Sequence, residues 1–134
     1  MLRNFFAKKP VPLTGAPTVR RLKTYSAQSG YVYQYFYEGQ RPLVHKNEPG
    51  TEFVFTVSAD RKTSHPLSVL VSEDALRAWE QAHAHTLSST ERYAVSKMAL
   101  FQAFDERANP ELMKQEVRVR AADISAILET LDIE

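Results

Sequence analysis

The sequence predicts an α+β domain, a mainly antiparallel sheet of roughly four strands with helices packed on one face. Three observations predict it. Short alternating or apolar runs cluster between Gly30 and Val71. Two capped stretches with helical spacing follow from Ser72. A last alternating run, Glu116–Arg120, leads into a final helical repeat. The order β-β-β-α-α-β-α places strands before helices, as the α+β layer plan does.

Residues 1–18 form a basic, proline-containing N-terminal arm, and residues 19–134 a single α+β domain. In the arm, Pro10, Pro12, Gly15 and Pro17 disfavour both helix and ladder pairing. Leu2, Phe5 and Phe6 give its tip some apolar character. The first strand is Gly30–Glu38, with tyrosine at every second position, and Gly39 is expected to end it. It could start as early as Arg20. A loop through Pro42, Pro49 and Gly50 follows.

Thr51–Ser58 is the second strand, with Phe53, Phe55 and Val57 on one side. Leu67–Val71 is the third, forming an antiparallel hairpin with the second. Ser72 caps the first helix, with Glu73 and Asp74 in its first turn, where the helix dipole favours negative charge. That helix should end near His85. Ser88-Ser89-Thr90-Glu91 is a capping box opening a second helix that runs to Arg107. Asn109-Pro110 breaks it. Asp123 is expected to open the last helix, where Ile124, Ile127, Leu128 and Leu131 share a face.

A chain of 134 residues has one domain's length and enough material for one core. It has no cysteine, which excludes disulfides, thiolate metal sites and cysteine nucleophiles. No apolar run is long enough for a signal-peptide core or a membrane span, so a cytoplasmic location is expected. The net charge of +1 hides an asymmetry. Residues 1–37 carry six basic residues, among them Arg20, Arg21 and Lys23, and no acid. Residues 38–134 carry the other eleven basic residues and all sixteen acids, a net −5. A basic arm of this kind either meets an anionic partner or lies as a solvated tail on its own acidic body.

The first strand poses the functional question. Tyr31, Tyr33, Tyr35 and Tyr37 project to one side, and Val32, Gln34, Phe36 and Glu38 to the other. With the tyrosines inward, each hydroxyl needs a partner or the domain rim. With Val32 and Phe36 inward, the tyrosines line the open sheet face beside Arg118 and Arg120 of the fourth strand. Such a face suits a protein partner or a second copy, because tyrosine and arginine anchor interfaces. It also suits single-stranded nucleic acid, with bases on the tyrosines and Arg20, Arg21 and Lys23 on phosphates.

No catalytic motif is present. Four glycines leave no phosphate-binding loop. His83 and His85, two apart on a helix, diverge and share no metal. No metal site and no cofactor is expected. The expectation adopted is a non-enzymatic binding or interaction domain, self-associating or partnered, that works through the open face. Nucleic-acid binding by the same face and the arm is the alternative. A third reading is an enzyme with a dispersed site drawn from His45, His65, Asp60 and Glu52.

Overall fold

The computed structural model describes residues 11–133. The apolar tip Leu2, Phe5 and Phe6 lies outside the described residues. Five strands form one sheet in the order β1 (Lys23–Ser26), β2 (Val32–His45), β3 (Glu48–Ser58), β4 (His65–Ser72) and β5 (Val117–Val119). The first four pair antiparallel as a meander, and β5 joins β4 in parallel. The helices are α1 (Glu73–His83), α2 (Ser89–Glu106) and α3 (Ala121–Thr130), with a short 3-10 turn at Pro110–Lys114. The fold is α+β, with one strand more than the sequence predicts. No helix among the described residues is long and apolar enough to cross a membrane.

The extra strand is β1. It is joined to β2 by a turn in which Ala27 N donates to Tyr31 O (2.8 Å) and Gly30 takes φ +96°. Gly39 does not end β2 either. Glu38 is an extra residue opposite β3, and the register resumes with Gly39 beside Val54. Gly39 takes φ +132°, and a Cβ there would lie 2.8 Å from Thr14 O, so glycine serves a bulge rather than a stop. Beyond it Gln40 bonds outward, exchanging N–H···O contacts of 2.8 Å with Thr14. Pro42, two residues on, points its nitrogen to the same free edge, where no N–H is required. Lys46 and Asn47, at φ 50° and 66°, close a two-residue turn between β2 and β3.

The bulge also changes which positions face the helices. Tyr35 pairs with Val57 and Tyr37 with Phe55, but after the bulge it is Gln40 that pairs with Phe53. Directly paired residues share a sheet face, so odd positions point inward before Glu38 and even positions after it. Phe53, Phe55 and Val57 are buried, and with them the tyrosine side of β2 lies under the helices.

The helix boundaries follow their caps. Ser72 Oγ accepts from Ala75 N, and α1 ends at Ala84 in the left-handed region, one residue before the predicted His85. The Ser88/Glu91 capping box is formed at α2. Asp123 does not open α3 but sits three residues in, accepting from Arg120 N (3.0 Å). The core is continuous from the tyrosine side of β2 through Val69, Leu100 and Phe104 to Ile124, Ile127 and Leu128.

Candidate functional site

Aromatic packing settles the orientation of the first two central tyrosines. Tyr33 is fully buried and stacks on Phe104 of α2, ring centroids 4.3 Å apart and 9° between planes. Tyr35 is buried edge-on against Phe101 (5.6 Å). The expected row of four tyrosines on the open face is therefore corrected. Tyr33 and Tyr35 belong to the core, Tyr37 is half-buried against Tyr93 (4.7 Å), and Tyr31 sits half-exposed at the β1–β2 turn. The cause is the register, which ties the tyrosine positions to the phenylalanines of β3.

Where the tyrosine side reaches the edge of β2, it is not closed over. A cavity of about 410 Å³ opens there between the segment Gly15–Lys23, β2 and the start of α2. Tyr35 and Tyr37 line it from the sheet, Tyr93, Ser89 and Thr90 from α2, and Arg21 and Lys23 from the N-terminal segment. Contacts at that segment and at the residue before it hold it against β2. Thr14 pairs with Gln40, Arg20 Nη2 lies 2.9 Å from Glu38, and the Arg20 guanidinium sits 5.6 Å over the Phe36 ring. Proline alternation thus allows one bridge to β2 where the sequence predicts none. Of the expected basic stretch, Arg21 and Lys23 form part of a wall of the cavity.

The charge in this cavity has one sign. Among the described residues no acid lines it. Lys23 is opposite Tyr35 in the register and so faces the helices, beside Lys97 one turn along α2 from Tyr93. Burial and the neighbouring Lys23 ammonium push the Lys97 pKa down. Burial, reinforced by Tyr93, pushes the Tyr35 and Tyr37 hydroxyls up to about 12, and burial raises Tyr93 as well. All three hydroxyls are therefore neutral at physiological pH and able to donate. The arrangement offers aromatic surface, hydroxyl donors and, in Arg21, Lys23 and the adjacent Lys97, three cationic groups to one guest.

The remaining predicted residues go elsewhere. Arg20 is bound to Glu38 on the open side of β2, apart from Arg21 and Lys23. Arg118 lies on the open side opposite Leu70, 2.6 Å from Glu116, and Arg120 projects at the start of α3. They join His45 around a second cavity of about 290 Å³. The dispersed set His45, His65, Asp60 and Glu52 does not converge. His45 and Asp60 flank opposite ends of β3, roughly 30 Å apart at strand rise. Asp60 instead folds its own loop, accepting from Lys62 N and Thr63 N at 2.8 Å, and these bonds hold its carboxyl far below the usual range. Glu52 accepts from Arg41 Nε (2.7 Å) and from Ser68.

His83 turns Nδ1 to the Trp79 carbonyl (2.9 Å), while His85 faces Glu91 (3.3 Å). Among the described residues no group of three or more histidines and carboxylates could hold a metal ion.

Neither Tyr93 nor Lys97 is among the candidate residues the sequence points to. A signal was present. Tyr93, Lys97 and Phe101 repeat every fourth residue, so a lysine interrupts one row of an otherwise apolar face. Comparison with protein-family models, with curated proteins and with solved structures found no match.

Proposed function

We propose that this domain is a non-enzymatic, cytoplasmic binding module that takes a nucleoside phosphate, free or at the end of a single strand, in the cavity between Gly15–Lys23, β2 and α2. One observation carries the proposal. Tyr37 and Tyr93 meet Arg21 and Lys23, with Lys97 beside them, in a cavity lined by no acid among the described residues. A volume of about 410 Å³ lies within the range of roughly 300–1,000 Å³ usual for small-molecule sites. A base stacked on an aromatic face is worth about 1–3 kcal/mol, and the phosphate supplies the anion that two adjacent lysines lack.

A protein partner or a second copy on the open face is the competing reading. It relied on outward tyrosines, and with Tyr33 and Tyr35 buried that face keeps Phe36, Arg118 and a set of ion-paired polar residues. Among the described residues its aromatic anchors are reduced to one half-buried ring.

The test is calorimetric titration of the full chain at low salt with adenosine monophosphate, adenosine, inorganic phosphate and a 5′-phosphorylated single-stranded oligonucleotide. The nucleotide should bind more tightly than either of its parts, and Lys23→Gln and Lys97→Gln should each weaken it about tenfold. Equal tightness for nucleotide and oligonucleotide identifies the free nucleotide as sufficient. A chain that ignores the nucleotide and the oligonucleotide at low salt, or that binds them undiminished after both lysine substitutions, rejects the proposal.

A further inference from the structure

A second cavity lies on the opposite side of the sheet, at the end where β2 turns into β3 and where β4 and β5 finish. We infer that it is a binding site for a phosphate group, separate from the cavity described above. Its floor is Gly50. A Cβ at that position would stand 2.8 Å from Val71 O, so the strand backbones lie close there, and the depression they line has a volume of about 290 Å³. Leu43, His45, Leu70 and Arg118 all face this side by register, since Leu43 pairs with Gly50, His45 with Glu48 and Leu70 with Arg118. Lys46 and Arg120 line the rim.

Two features point to an anion. His45 Nε2 is buried and has no hydrogen-bond partner among the described residues, which a native interior rarely tolerates without a bound group. Two guanidinium groups and an ammonium gather around the same depression. The acids in reach are Glu48 on the rim, Glu116 bound to Arg118 (2.6 Å) and Asp123 near Arg120 (3.9 Å). Both ion pairs are largely solvated, with the Arg120 side chain 85% exposed, so they hold the guanidinium groups weakly. Each arginine keeps free donors for a phosphate, and the forked guanidinium matches phosphate geometry.

The experiment is a titration of the full chain with inorganic phosphate, followed by the imidazole nitrogen resonances of His45 at fixed pH. Sodium chloride at matched ionic strength is the control. Saturable movement of His45 is expected with phosphate and not with chloride. The Arg118→Gln/Arg120→Gln double variant changes only exposed side chains and should fold. It should weaken phosphate about tenfold or more at His45, whereas Lys23→Gln should leave His45 unaffected. An unmoved His45, the same movement with chloride, or full affinity in the double variant overturns the inference.

Discussion

On one side of β2, Tyr33 stacks on Phe104 and Tyr35 packs edge-on to Phe101. On the other side, at the neighbouring positions, Gln34 is half-exposed and Glu38 accepts from Thr56 Oγ1 (2.6 Å) while pairing with Arg20. One strand thus joins an aromatic core to a face of charged hydrogen bonds. The aromatic side gains from dispersion and from area removed from water, which grows with every ring added. The polar side gains little net, because each bond replaces one to water, but it is costly to break one-sidedly once buried. The stability of the domain should therefore reside on the helix side, and its pH sensitivity on the other.

The largest effect should come from Tyr33→Ala. Removing a fully buried ring stacked on Phe104 should cost about 3–5 kcal/mol in urea unfolding. Tyr33→Phe sharpens the point. The Tyr33 hydroxyl is buried with no partner among the described residues, so its loss should be neutral or slightly stabilising. A large loss in Tyr33→Phe would mean that the hydroxyl is bonded and the core differently arranged.

Glu52→Gln should have an intermediate effect. Glu52 is 9% exposed on the open side, bonded to Arg41 and Ser68. Burial alone would raise its pKa, but the Arg41 and Ser68 hydrogen bonds and the Arg41 charge outweigh it, and the folded value falls below 4.5. A depressed carboxyl stabilises the fold above its unfolded pKa and loses that contribution as pH falls through the folded value. Glu52→Gln should thus cost about 1–3 kcal/mol at neutral pH, with the difference from the parent chain shrinking below pH about 4. A constant difference across that window would place the effect in packing rather than charge. The smallest effect should be Arg20→Gln. Its 59% exposed side chain pairs with Glu38 at the surface, and losing it should cost under about 1 kcal/mol in urea unfolding.

What the sequence reveals of this comparison divides along local and non-local lines. The α+β class, the β3–β4 hairpin and the Ser72 and Ser88 caps depend on neighbouring residues, and all are legible. The orientation of β2 is not. Both of its sides carry apolar residues, Val32 and Phe36 against the tyrosines, so alternation alone offers two solutions. The choice depends on pairing with Phe55 and Val57, about twenty residues away, and on one extra residue at Glu38 that shifts the parity. Gly39 reads as a terminator because glycine serves stops and bulges alike. In the candidate site, Tyr35, Tyr37, Arg21 and Lys23 were singled out from the sequence. Their common location was not, because it requires the N-terminal segment to cross the edge of β2 at Gln40.

The most direct measurement is fluorine NMR of the chain with 3-fluorotyrosine at its six tyrosines, titrated with adenosine monophosphate. Saturable movement of the Tyr37 and Tyr93 resonances, with Tyr31 and the buried Tyr33 left in place, is the predicted result. Movement of Tyr31 alone, or no movement of Tyr37 and Tyr93, would contradict the placement of the binding site between β2 and α2.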